Sequence, residues 1–304
     1  MDLRDRVMGS CLGLALGDAL GAPFEGFRAG DVPDPLPAFE RSRLRRPAGS
    51  TTDDTAMARN LMRSLAARDG FDAADLVALH VQWFRTGPED VGSLTRRVLR
   101  RVEMGEDPVA VAEDIWMRQG PEVSAGNGSV MYCAPLGVAY ANRPDELFEL
   151  APALSALTHF DGRCRTPVLA VTLAIAALVR GEPADRVTRS ALEAVVDHEG
   201  GEELEYLVEA AGAARPVDGP DQGFCLFTAG LAFQTLVRGS DAEAELRRVV
   251  SLGGDTDTNA AVAGALLGAR DGVHGLPADW LERLLDRDAM RDEATALIQL
   301  ALER

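Results

Sequence analysis

The sequence predicts an all-α fold, a single compact many-helix domain spanning residues 1–304. Three observations predict it. Apolar residues recur at three- and four-residue spacings through most of the chain. Period-two alternation is nearly absent, so half-buried strands are not expected. Aromatics make up only 5% of a chain that is 46% hydrophobic, so the core must be built from Ala, Leu and Val, as where helices pack closely. No repeat of roughly 20–50 residues, low-complexity tract or linker divides the chain.

The elements follow in order. Residues 3–20 read as a helix through Leu3, Val7, Cys11, Leu14 and Leu20. Gly9, Gly13, Gly17 and Gly21 recur every four residues along it. Glycine costs about 1 kcal/mol at each helix-interior position, so the stripe calls for the close approach of another backbone. Ala260, Gly264, Gly268 and Gly272 have the same spacing and nominate the partner. The segment Gly21 to Gly26 ends the first helix and leaves Glu25 at the root of a long loop, 27–50, which holds four prolines. Thr52 reads as an N-cap, with Asp53 and Asp54 in the first turn and Met57, Leu61, Met62 and Leu65 on the buried face.

Helices are expected at 72–85, 90–104 and 107–119. The small residues of Ser124 to Ser129 permit unusual backbone angles, suited to a turn or to N–H groups converging on an anion. Helical spacing returns over 145–157. Thr166-Pro167 then starts a helix to about Val179, with proline at its first position; it is apolar all round and so belongs at the centre of the bundle. Segments 184–197, 202–213, 222–238, 241–251, 259–269, 278–286 and 289–303 complete the set.

The formal net charge is −17, with a pI near 4.7. Such a field repels polyanions and argues against nucleic-acid binding, while it recruits cations. Four scattered cysteines without a Cys-x-x-Cys suggest reduced thiols in a cytoplasmic protein, each a small buried hydrophobe. The four histidines form no zinc-type pair. Asp18 and several glycines interrupt the apolar run at 7–20, so no signal peptide is expected, and no uncharged run reaches the roughly 20 residues of a membrane span. A monomer free of membranes is the expectation.

Two motifs carry the chemistry, Thr51-Thr52-Asp53-Asp54-Thr55 and Gly253-Gly254-Asp255-Thr256-Asp257-Thr258-Asn259. Either alone reads well as an N-cap with an acidic first turn, worth roughly 1 kcal/mol for the cap and a few tenths per charge. If the two meet, Asp53, Asp54, Asp255 and Asp257 crowd one spot. Like charges so close do not all stay ionised without cations, and an all-oxygen donor set favours Mg²⁺ or Mn²⁺ over Zn²⁺. A pair of divalent cations between the two helix starts is therefore expected.

At these residues the chain resembles the ADP-ribosylglycohydrolases. The matching pieces are Gly17-Asp18-Ala19-Leu20-Gly21 with Glu25, Thr52 to Thr55, Gly126-Asn127-Gly128-Ser129 with Met131, Thr158-His159, and Gly253 to Thr258. They lie in family order and span nearly the whole chain. The resemblance implies two Mg²⁺ (or Mn²⁺) ions held by Thr52, Asp53, Asp54, Asp255, Asp257 and Thr258. It implies that Glu25 closes over the site, that residues 126–129 cradle a diphosphate through backbone N–H groups, and that His159 lines a ribose pocket. Two departures bear on substrate choice. Met131 is followed by Tyr132 where the family commonly has arginine, and Thr158-His159 continues Phe160-Asp161-Gly162-Arg163.

The reaction implied is hydrolysis of the C1″ glycosidic bond of an ADP-ribose conjugate, a modified protein side chain or a small molecule, releasing ADP-ribose. Glu25 or Asp54 would act as general acid or base beside Asp255, and the sequence does not choose between them. The alternatives are a non-catalytic ADP-ribose-binding or structural homologue and another Mg²⁺-dependent nucleotide hydrolase.

Overall fold

The computed structural model describes residues 1–39, 46–120, 123, 125–210 and 216–303. Residues 40–45 of the long loop, Ser124 and the end of the helix expected at 202–213 lie outside the described residues. The described residues form fifteen α-helices and one pair of two-residue strands.

The centre is an antiparallel pair, α1 (Leu3–Gly21) and α13 (Thr256–Asp271). A Cβ on Gly9 would fall on the carbonyl of Gly268, one on Gly13 on that of Gly264, one on Gly17 on that of Ala260, and one on Gly21 on that of Thr256. The two glycine stripes are thus the contact itself, with backbone lying on backbone. Both helices are buried nearly all round.

Around this pair pack α2 (Asp53–Arg68), α6 (Ala134–Ala139), α8 (Gly162–Val179), α11 (Cys225–Arg238), α12 (Ala242–Ser251) and α15 (Arg287–Glu303). The outer shell is α3 (Ala73–Phe84), α4 (Ser93–Val102), α5 (Pro108–Gln119), α7 (Leu147–Ala156), α9 (Ala184–Glu193), α10 (Gly201–Glu209) and α14 (Ala278–Arg283). By length and composition Leu3–Phe24 and Gly162–Val179 would pass for membrane spans, yet the fold buries 94% and 78% of them. All four cysteines are buried.

Four expectations are corrected. Pro167 does not start α8; Asp161 caps that helix and Pro167 lies inside it. Proline supplies no N–H to the carbonyl four residues earlier, and the Cys225 thiol donates to that carbonyl, Arg163 O, at 3.1 Å. The helix expected at 259–269 starts earlier, at Thr256, so Asp257 and Thr258 stand in the first turn of α13 and Asp255 at its N-cap. The helix α6 was not expected, because six residues are too few to display a period. Finally, the long loop does contain a strand, β1 (Phe27–Arg28), paired antiparallel with β2 (Gly253–Gly254). Two-residue strands cannot show alternation, so the sequence carried no sign of them. Gly253 and Gly254 sit at φ +69° and +77°, a region that favours glycine.

Candidate metal centre

The start of α2 is held from outside the helix. Asp18, buried in α1, accepts the backbone N–H of Thr52 at 3.0 Å and that of Thr55 at 3.1 Å, and the Thr55 hydroxyl at 2.5 Å. A carboxylate from a neighbouring helix thereby satisfies N–H groups that the first turn leaves open. Thr52 caps α2, accepting the Asp54 N–H at 3.3 Å while its hydroxyl donates to Asp54 Oδ2 at 3.1 Å. Asp53 turns the other way and accepts the Gly92 N–H at 3.2 Å.

The start of α13 faces it. The Thr256 hydroxyl donates to Gly21 O at 2.8 Å, tying the turn to the end of α1. The Thr258 hydroxyl reaches Asp54 Oδ2 at 3.4 Å, so the two acidic motifs, about 200 residues apart in sequence, do meet. The Gly26 N–H donates to Gly254 O at 2.7 Å, which extends the strand pair and sets Glu25 at the mouth. Carboxylate oxygens of Glu25, Asp90 and Asp257 lie within 4.8 Å of one another. Asp90 also pairs with Arg46 at 3.2 Å.

Burial, and then the neighbouring carboxylates, push the carboxyls of Asp53, Asp54 and Asp257 well above the usual range. Burial raises Asp18 to about 6 against the hydrogen bonds it accepts. Asp90 is also raised by burial, with Arg46 opposing. Among the described residues buried Asp54 Oδ1 has no hydrogen-bond partner, although its other oxygen accepts from two hydroxyls. An orphaned carboxylate oxygen inside an all-oxygen, acid-rich cluster fits a hard divalent cation, which supplies the missing partner and the missing positive charge. Thr52, Asp53, Asp54, Asp255, Asp257 and Thr258 offer the donors.

The cluster forms the floor of a cavity of about 300 Å³. One wall is Gly126, Gly128, Met131 and His159. The His159 ring lies so close to Gly128 that a Cβ there would stand 2.8 Å from its Cε1, so glycine is required for this contact. Burial lowers His159 to about 4, leaving it neutral at neutral pH, and its Nδ1 contacts the Thr158 hydroxyl at 2.8 Å. The start of α4 at Ser93, Leu94 and Thr95 also lines the cavity, and among the described residues no side chain caps it.

Of the residues expected on the substrate wall, Ser129 turns its side chain into the core, while Asn127 lines the cavity with its own groups hydrogen-bonded. The Ser129 hydroxyl is fully buried against Ser155 at 2.9 Å. Asn127 lines the cavity, but its backbone N–H donates to Gly223 O and its amide to Asp255 Oδ2 at 2.8 Å. The departing residues also have defined places. Tyr132 is fully buried, edge-on to His80 at 5.3 Å, and so lies outside the cavity. Asp161 accepts from the backbone N–H and guanidinium of Arg163 and from Trp116 Nε1 at 3.1 Å, which fastens α5 to the start of α8 behind the His159 wall.

Asp90 and Asp18 were not assigned to the site from sequence. Asp90 stands in an irregular loop after α3 with no pattern to mark it. Asp18 did carry a signal, since an aspartate in the middle of an apolar, glycine-striped helix has to find partners.

A family model described as ADP-ribosylglycohydrolase matches residues 1–304. The chain is 30% identical over 306 residues to the ADP-ribosyl-[dinitrogen reductase] glycohydrolase of Rhodospirillum rubrum, covering 98% of this chain and 97% of that one. It is 28% identical over 324 residues to human ADP-ribosylhydrolase ARH3, covering 90% and 88%. Among solved structures, one described as an ADP-ribosylglycohydrolase-related protein complex superposes with a TM-score of 0.83 at 35% identity, covering 99% of each chain.

Proposed function

The chain belongs to the ADP-ribosylglycohydrolase family and is a glycosidic-bond hydrolase, and on that premise we propose that it cleaves the C1″ bond of ADP-ribose conjugates with the help of a pair of Mg²⁺ or Mn²⁺ ions. The observation that carries this reading is the meeting of the two acidic helix starts at the floor of one cavity, with Asp54 Oδ1 buried and unpartnered among the described residues. Bound there, the cations would hold ribose hydroxyls and polarise a water.

The chain's own residues supply the rest. Asp53, Asp54, Asp255 and Asp257, with the Thr52 and Thr258 hydroxyls, fix the donor positions before substrate arrives. Their negative charge also stabilises a C1″ that takes on oxocarbenium character. Between the two candidates for proton transfer, the geometry favours Glu25. It is exposed at the mouth, whereas Asp54 is buried and one of its oxygens already accepts two hydroxyls. Gly126 and Gly128 let a ligand approach the backbone closely, and the start of α4 brings the positive end of its dipole to the same space, which suits a diphosphate. Neutral His159 lines the ribose end. The substrate is then an ADP-ribosylated protein or a small ADP-ribose conjugate. The net charge of −17 argues against a nucleic-acid partner.

The test is a substrate panel read by mass spectrometry, using mono-ADP-ribosylated arginine and serine peptides with Mg²⁺, with Mn²⁺ and with chelator. Intact ADP-ribose released only in the presence of a divalent ion is expected. Turnover that survives chelation sinks the metal requirement. AMP formed from ADP-ribose would mark a pyrophosphatase instead, and binding without release would mark a binding protein.

Stability gives a second check. The raised carboxyls keep their protons longer in the folded state than in the unfolded one. Their contribution is therefore full below the ordinary 3.8 and is lost as pH rises through the folded values, about 6 for Asp18 and above the usual range for Asp53, Asp54 and Asp257. Buried His80, lowered to about 3, and His159, lowered to about 4, tilt the profile the other way, losing stability as pH falls below 6.5. Comparing unfolding with and without Mg²⁺ at each pH cancels the histidines. The rise in thermal midpoint on adding Mg²⁺ is expected to be several-fold larger at pH 7.5 than at pH 5, because the ligands must lose their protons to bind. An equal rise at both, by calorimetry, contradicts this.

A further inference from the structure

Asp255 is held by a closed ring of hydrogen bonds that leaves its own helix and returns to it. The Asn127 amide nitrogen donates to Asp255 Oδ2 at 2.8 Å and to the Thr228 hydroxyl oxygen at 3.1 Å. The Thr228 hydroxyl in turn donates to Asn259 Oδ1 at 2.8 Å, and Asn259 stands one turn after Asp255, its N–H donating to Asp255 O at 3.0 Å. The ring thus joins the 126–129 loop, the first turn of α11 and the first turn of α13.

The chemistry fixes its orientation. A carboxylate only accepts, so Asn127 must present its NH₂ to Asp255. The second N–H of that group then needs an acceptor, and Thr228 provides one. Thr228 can accept there because its own proton goes to Asn259. Thr228 and Asn259 are fully buried, so no solvent competes for the two bonds that the Thr228 hydroxyl makes. Among the described residues buried Asn259 Nδ2 has no partner. An unsatisfied buried donor weighs against the fold, so the ring is not arranged for stability alone.

Resting on the metal reading above, we propose that Thr228 is a positioning residue: its hydroxyl locks the Asn127 carboxamide onto Asp255 and so orders the α13 side of the cation site before any ion binds. Asn127 then serves the site through Asp255. Outer partners of metal ligands typically change affinity by about 10–100-fold when removed.

The experiment uses the full chain with Thr228→Val, which keeps the shape and removes the hydroxyl, Thr228→Ser, which restores it, and Asn127→Ala alone and combined with Thr228→Val. Two readouts are taken. In metal-free protein, solvent exchange of the Asn127 side-chain N–H, assigned by its loss in Asn127→Ala, is followed by NMR. Mn²⁺ affinity is measured by electron paramagnetic resonance of the free ion. Thr228→Val is expected to speed the exchange at least about tenfold and weaken Mn²⁺ about tenfold, Thr228→Ser to return both to within about threefold, and Thr228→Val to add nothing in the Asn127→Ala background. A Thr228→Val chain with unchanged exchange, or with Mn²⁺ affinity within twofold of the wild type, overturns the proposal, as does an additive double variant. A wild-type chain that takes up no Mn²⁺ overturns the metal reading instead, and the exchange readout then decides the positioning role by itself.

Discussion

Replacing Asp257 with asparagine is expected to lower turnover by roughly 10²–10³-fold, the several kcal/mol that a bound cation contributes at about 1.4 kcal/mol per decade, and at the same time to raise the thermal midpoint of the metal-free protein. The two signs have one cause. Asp257 is buried among Asp255, Glu25 and Asp54, and its charge is disfavoured first by burial and then by those neighbours. Removing that charge relieves the fold where no cation is present and removes a donor where one is needed. Midpoints move by about 2 °C per kcal/mol in a chain of this size, so a rise of a few degrees is expected without metal and a fall relative to wild type with saturating Mg²⁺. Asp54→Asn should behave alike, because Asp54 is buried and among the described residues one of its oxygens has no partner. Parallel scanning calorimetry and peptide turnover check both signs. Loss of activity with an unchanged metal-free midpoint would mean that the cluster is not under electrostatic stress.

Gly17→Ala is the second large effect, and its sign is the informative part. At an ordinary helix-interior site, glycine to alanine stabilises by about 1 kcal/mol. Here the new Cβ would fall on the carbonyl of Ala260, a backbone atom that cannot rotate away. The helices must separate, and overpacking of this kind costs about 1–3 kcal/mol or more. Gly13→Ala meets the carbonyl of Gly264 in the same way. Urea denaturation should show a net loss of about 2 kcal/mol for either variant, the upper end of the overpacking cost less the helix gain. Because the Thr256 hydroxyl is tied to Gly21 O on α1, shifting α13 also displaces Asp255 and Asp257, so Mg²⁺ affinity should fall with stability. Gly30→Ala, which meets nothing within 4 Å, serves as the control and should stay within about 0.5 kcal/mol. A stabilised Gly17→Ala would mean that the α1–α13 contact is looser than described.

The sequence by itself determined the class of fold, the central helix pair and the two acidic helix starts. Each of these is a local or periodic property. Four-residue glycine spacing has one economical physical use, and Thr-Asp-Asp ahead of an apolar period marks a helix start whatever surrounds it. The tertiary structure alone decided which groups complete the site. Asp90 reaches Asp257 from an irregular loop, and β1 and β2, too short to show any alternation, set Glu25 beside it. Asn127 read from sequence as a residue of an anion-binding turn, because small residues on either side allow that geometry. Its amide instead meets Asp255, 128 residues away, and Ser129 turns into the core. Hydrogen-bond partners at such separations leave no periodic trace in a single chain. They depend on the angle at which whole helices dock, and that angle is set by the backbone contact of α1 with α13.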